Sequence, residues 1–211
     1  VTWAILATVR AHFLFGTHPN TDINYLTIAK NNFDKMYKRA LRKTDGYYLL
    51  GWSEDSGKTG PLSCSNGPAE VAACYLGTAT GDTLYFAKAK MLYDNQREYF
   101  YDSSTGRVYD GFGNNWASPY NQGTYMGAAM MLYDRYKDEK YKKDAELIAK
   151  YSYDNFCNSH KIITECNSES DPYDKIRAIM FRYVRRFVTE FGKIEYNDWM
   201  QKNAIHAYNP C

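Results

Sequence analysis

Tyr120, Asn121 and Gln122 put an aromatic ring and two side-chain amides at the start of a helix that runs on through Gly123, Gly127, Ala128 and Ala129. A ring face beside amide donors and acceptors suits a neutral ligand that carries many hydroxyls. Asn121 is equally readable as a simple N-cap. Asn66, at the start of another small-residue helix, carries the same two readings. Side chains able to do acid, base or nucleophilic work lie in loops: Asp110, Glu165, Asp171 and Asp174, with Glu169 and Asp171 near enough to mimic a carboxylate pair. Acidic loop residues more commonly serve as solvated groups or caps. Asp171 before Pro172 reads as the N-cap of a helix over 173–187. Asp110 and Glu165 are open to a second reading, hydrogen bonding to loop amides.

Metal and thiol chemistry find no support. Cys64, Cys74, Cys157, Cys166 and Cys211 make no Cys-x-x-Cys pair, and His12, His18, His160 and His206 are scattered, so no metal or cofactor is expected. An odd number of cysteines cannot all pair, and their spacing outlines no disulfide framework. Across 211 residues the net charge is only +2, which argues against a nucleic-acid footprint. With 24% charged and 45% apolar residues, the chain has an ordinary globular composition, large enough for one core and read as one domain over residues 1–211. The stretch 1–15 is apolar, but Arg10 and His12 interrupt it. It has neither the flanks of a signal peptide nor the length of a membrane span. It is expected to be a packed helix ending at Gly16, with the chain starting mid-helix.

The elements that must hold these residues repeat. Asp22-x-x-Tyr25-x-x-x-Ala29 recurs as Asp82, Tyr85, Ala89 and as Asp138, Tyr141, Ala145, with a weaker copy after Gly192 at Tyr196 and Met200. In each copy an aspartate suits a helix start, and Tyr and Ala fall on one face. A small-residue helix precedes the later copies, from about Asn66, Asn121 and Pro172. The region 44–60 is read as loop, with a short strand near 47–52. Helix pairs recurring in this way form a solenoid or a closed double ring, small-residue members inside. In a ring, the loops ahead of the inner helices share one end, so Ser65-Asn66, Tyr120-Asn121-Gln122 and the 165–174 stretch converge on a concave, aromatic-lined mouth.

Cys64-Ser65-Asn66-Gly67-Pro68-Ala69, Thr80-Gly81-Asp82 with Tyr85, Gly106-Arg107-Val108-Tyr109-Asp110-Gly111, and above all Tyr120-Asn121-Gln122-Gly123-Thr124-Tyr125-Met126-Gly127-Ala128 resemble glycoside hydrolase family 76. Ile163-Thr164-Glu165-Cys166 and Arg182-Tyr183 fit as well, and the resemblance runs through nearly the whole chain. It implies an all-α, (α/α)6 double-ring barrel and retaining, endo-acting hydrolysis of α-1,6-linked mannan. It implies substrate contacts from Asn66, Asp110, Tyr120, Asn121, Gln122 and Glu165. It also implies a polysaccharide or oligosaccharide partner, an extracellular or periplasmic setting and a monomer.

One departure governs the rest. The family's catalytic pair is two adjacent aspartates, followed by two residues and a tryptophan, and Val1-Thr2-Trp3 matches the tail of that motif. Both aspartates would then precede residue 1, leaving no catalytic residue in this chain, which alone is expected to be inactive. About four helix pairs are visible where the family has six, so the barrel is expected to be incomplete. Ile176-Arg177-Ala178-Ile179 also stands where the family usually has Phe-Lys-Gly-Ile. The alternatives are a non-catalytic glycan-binding protein, or a cell-wall transglycosylase that passes the same intermediate to a sugar acceptor.

Overall fold

A computed structural model describes residues 1–16, 23–53, 60–114, 116–164 and 178–208. Among these are eight α-helices in four consecutive pairs: α1 (Thr2–Phe15) with α2 (Tyr25–Ala40), α3 (Ser63–Thr80) with α4 (Thr83–Phe100), α5 (Pro119–Tyr136) with α6 (Glu139–Asn155), and α7 (Ala178–Thr189) with α8 (Asn197–Tyr208). The first members pack side by side in the order α1, α3, α5, α7, and each of the first three packs on its own partner. This is the all-α arrangement of inner and outer helices that the repeat predicts.

The inner helices are inner because their sequences allow close approach. A Cβ added at Gly123 would lie 2.6 Å from the Met180 main chain, and one at Gly127 only 2.3 Å from the Tyr183 ring, so α5 and α7 meet where a side chain is missing. Every residue of α5 from Pro119 to Leu132 is buried. The outer helices instead show one buried stripe. Ala29, Ala89 and Ala145 of the repeat are fully buried, as is Tyr141, with Tyr85 nearly so.

Outer neighbours are tied to one another by carboxylates. Asp34 on α2 accepts from the Tyr85 hydroxyl at 2.9 Å and pairs with Lys88 at 3.1 Å, both from α4. On α6, buried Asp144 accepts from Tyr93 at 2.8 Å and from both Nε and Nη2 of Arg97, at 2.8 and 3.1 Å. A buried carboxylate needs such saturation, because an unpaired charge away from water is far costlier than the bonds it makes. Asp82 and Asp138 cap α4 and α6 as the repeat predicts, accepting from the backbone of Leu84 and Lys140. The corresponding Asp22 lies outside the described residues, and α2 is capped by Asn24.

Two short hairpins stand at the inner-helix entrances. β1 (Leu41–Thr44) pairs antiparallel with β2 (Tyr47–Leu50), and β3 (Tyr101–Asp102) with β4 (Arg107–Val108). The short strand expected near 47–52 is β2, ending two residues earlier at Leu50, and its partner β1 was not expected because Leu41-Arg42-Lys43-Thr44 continues the polar end of α2 without a turn signal. Helix starts also differ from expectation by a few residues. Helix α3 begins at Ser63, with Pro68 inside it, and α5 begins at Pro119 behind the N-cap Ser118. The helix expected over 173–187 is described from Ala178 onward, and the proposed Asp171 cap lies outside the described residues.

Candidate functional site

The N-terminal ends of α1, α3 and α5 open on one cleft of ≈ 670 Å³. Val1, Thr2 and Trp3 form one edge, Trp52 and Leu62 another, and Asp110, Trp116, Tyr120 and Asn121 the floor and far wall. Three tryptophans are the exposed rings here: Trp3 at 51%, Trp52 at 52% and Trp116 at 38%. Exposed indoles of this kind are the groups on which ring-shaped ligands stack.

The far wall is built by loop crossing. The Asp110 carbonyl accepts from the Ser63 amide at 2.8 Å, and its own amide donates to the Trp116 carbonyl at 2.9 Å, so the residue is held between the start of α3 and the Trp116 loop. That fixes its side chain, whose Oδ1 accepts from Asn121 Nδ2 at 2.9 Å. Asn121 is the third residue of α5, so its side chain stands over the helix entrance. It is not the cap: the Ser118 hydroxyl accepts from the Asn121 amide at 3.2 Å and fills that role.

Tyr120 turns out to be the anchor of α1. Its ring stacks on Trp3 with centroids 5.6 Å apart and planes 20° from parallel, and its hydroxyl accepts from the Trp3 indole at 2.8 Å. The same hydroxyl reaches the Cys64 carbonyl at 3.4 Å. That carbonyl lacks its ordinary helical donor because the residue four positions on is Pro68, which has no N–H. Burial pushes the Tyr120 phenol well up, so it stays protonated and able to bridge. The ring expected to stack on a ligand is thus covered by Trp3, and the exposed aromatic residues of the cleft are the tryptophans.

Two expected contacts stand behind the wall instead of on it. Asn66 is fully buried, its Oδ1 accepting from the Leu50 amide at 2.8 Å and its Nδ2 donating to the carbonyls of Leu50 at 3.0 Å and Leu62 at 2.9 Å. Gln122 is also fully buried. Its Oε1 accepts from the Val108 amide and its Nε2 donates to the Gly106 carbonyl at 2.9 Å. Both amides hold a hairpin against an inner helix, so neither has an atom free for a ligand. Glu165, the sixth expected contact, lies outside the described residues, as do Glu169, Asp171 and Asp174.

Among the described residues lining the cleft, Asp110 is the one carboxylate. Cys64 lines it too as a free thiol, but burial and the nearby Asp110 charge push its pKa to about 11, so it is no nucleophile at neutral pH. No group of three or more His, Cys, Asp or Glu among the described residues could hold a metal ion. No described helix is long and apolar enough to cross a membrane. Sequence reasoning missed Trp52, which sits in a Gly-rich loop with no motif of its own. It met Trp3 only as part of a motif.

Solved structures share this architecture. A family 76 mannosidase of Bacteroides thetaiotaomicron VPI-5482 matches with a TM-score of 0.84 at 23% identity, over 99% of this chain and 58% of that one. The α-1,6-mannanase of Salegentibacter sp. HEL1_6 matches at 0.83 and 22%, over 98% of this chain and 63% of that one. A protein of Listeria innocua matches at 0.83 and 22%, over 94% and 56%. At such identities the likeness establishes the fold. The chain spans less than two thirds of the length of each of these structures. A search of curated proteins finds no match. The sequence model of glycosyl hydrolase family 76 matches residues 1–211, all of the cleft included, and the chain belongs to that family.

Proposed function

We propose that this chain forms the glycan-binding wall of a retaining, endo-acting α-1,6-mannanase-like hydrolase. The observation that carries the reading is the ring of half-exposed Trp3, Trp52 and Trp116 around the Asp110–Asn121 pair. Flat apolar faces beside a few fixed polar atoms suit pyranose rings, which present C–H faces and hydroxyl edges. Retaining hydrolysis needs two carboxyl groups about 5 Å apart, one as nucleophile and one as acid/base. Asp110 is a single carboxylate, and its Oδ1 is engaged by Asn121.

The chemistry is therefore assigned to the aspartate pair that the family resemblance sets ahead of Val1. Supporting that assignment, Val1 and Thr2 line the cleft. In support, variants of the Salegentibacter mannanase with two aspartates replaced are described as inactive, in complex with α-1,6-mannotriose or α-1,6-mannotetrose. A polymer of this kind is met outside the cytoplasm, and we assign the protein there, as a monomer.

The test has two parts. Calorimetric titration with α-1,6-mannotriose should show binding that weakens about tenfold in Trp116→Ala, the loss of one stacking face. Failure of the triose to bind at all would sink the reading. Assay of the gene product with its upstream residues on α-1,6-mannan should give endo-cleavage that disappears when the aspartate pair is replaced. That Asp110 is the one carboxylate among the described residues of the cleft also favours a second reading, glycan binding without hydrolysis, which predicts triose binding and no cleavage by that longer product.

A further inference from the structure

The cleft does not end at Val1 and Thr2. A second cavity of ≈ 510 Å³ lies on their other side and shares Val1, Thr2, Trp52 and Ser65 with the first. Its new wall is one face of α2, where Asn32, Lys35, Met36 and Arg39 follow at helical spacing. We propose that this second limb takes an anionic substituent on the bound glycan, a phosphate ester or a uronate carboxylate, with Lys35 as its principal charge. The proposal rests on the glycan-binding reading of the first limb.

Charge separates the two limbs. Among their described lining residues, the first holds Asp110, Lys35 and Arg39 belong to the second, and no carboxylate lines the second. A polymer crossing the ridge at Thr2 would meet a field running from negative to positive, which orients a ligand charged at one end.

The placement of Lys35 is not explained by the stability of α2. Residues three and four positions away on a helix are its natural ion-pair partners. For Lys35 these are Asn31, Asn32, Lys38 and Arg39, two amides and two further cations. Like charges at that spacing cost a helix a few tenths of a kcal/mol. The adjacent carboxylate, Asp34, faces elsewhere and is taken by Lys30, Lys88 and Tyr85. Among the described residues Lys35 has no ion-pair partner. Lys38 and Arg39 lie in the last turn, where cations complement the helix dipole, but Lys35 sits before it. An anion held at this face would give Lys35 a counter-charge.

The experiment compares three probes on the full-length protein: α-1,6-mannotriose, the same triose carrying a phosphate monoester, and a triose ending in glucuronate. At low salt at least one anionic probe should bind about threefold or more tighter than the neutral one, the scale of a single exposed ion pair. The advantage should fall as salt screens the charges. It should vanish in Lys35→Gln and persist in Lys30→Gln, a control whose lysine pairs with Asp34 away from the limb. Neutral binding should be the same in the parent and in Lys30→Gln. The anionic probe that gains identifies the substituent. Equal affinity for all three probes, or an advantage that survives Lys35→Gln, overturns the inference while leaving the glycan reading intact. Absence of binding by every probe overturns both.

Discussion

Trp3 and Tyr120, far apart in the chain, are joined twice: their rings stack at 5.6 Å, and the indole N–H donates to the phenol at 2.8 Å. Stacking sets the distance between the first turns of α1 and α5, and the hydrogen bond sets their rotation. The first turn of α1, with Val1 and Thr2 on the cleft, is therefore positioned by Tyr120, itself a lining residue of that cleft. In Tyr120→Phe the stack survives and the indole loses its acceptor. We expect a loss of about 1 kcal/mol in stability, with Trp3 emission more readily quenched by acrylamide. Unchanged quenching would show that the bond does not hold the indole.

Asn66 makes three hydrogen bonds to main chain in a site without water access. Asn66→Ala should cost roughly 2–3 kcal/mol in urea unfolding, because the Leu50 amide and its neighbours are left without partners. Asn66→Asp should do little better, since an ionised carboxylate cannot donate to the Leu50 and Leu62 carbonyls. Faster hydrogen exchange at the Leu50 amide would locate the damage in β2.

Gly127→Ala tests the crowding between inner helices. On an exposed helix this change stabilises by about 1 kcal/mol. Here the new methyl would meet the Tyr183 ring at 2.3 Å, and overpacking of that kind costs about 1–3 kcal/mol. We expect the melting temperature to fall. A rise would mean that Tyr183 can swing aside.

Glu70 supplies a pH test. It lies on α3, fully buried, and neither carboxyl oxygen has a hydrogen-bond partner among the described residues. Burial, with the Asp94 charge as a lesser contributor, raises its pKa well above the ordinary glutamate value. The folded state then holds a proton that the unfolded chain releases above about pH 4.3. Stability from this group is present below that pH and is lost as pH rises toward the folded pKa. Glu70→Gln should accordingly be more stable than the parent at neutral pH, with the gap closing near pH 4. A gap independent of pH would assign the effect to packing.

Repetition made the fold legible. Asp82 and Asp138 cap their helices, and Ala89 and Ala145 lie at the buried stripe, because capping and burial both act over one or two turns that a local pattern can show. The convergence of Asp110, Tyr120 and Asn121 followed from the ring arrangement. The rest of the site was hidden for a physical reason. An amide that binds a sugar and an amide that binds a strand look alike in sequence, so Asn66 and Gln122 could not be told from Asn121 until their partners were known. Trp52 was unreadable because its place in the cleft depends on Gly51 bridging to Pro61, a contact between distant loop residues.

That bridge belongs to a series: Gly51 with Pro61, Leu62 with Gly111, and Gly111 with Asn114. Main-chain bonds thus run laterally from the loop that carries Trp52 to the loop that carries Trp116. The two loops form a single belt, so their sequences are not free to vary independently. Anyone exchanging loops with a relative to alter what the cleft accepts would have to transplant both together, since a graft of either alone would leave its neighbour's main chain without a mate.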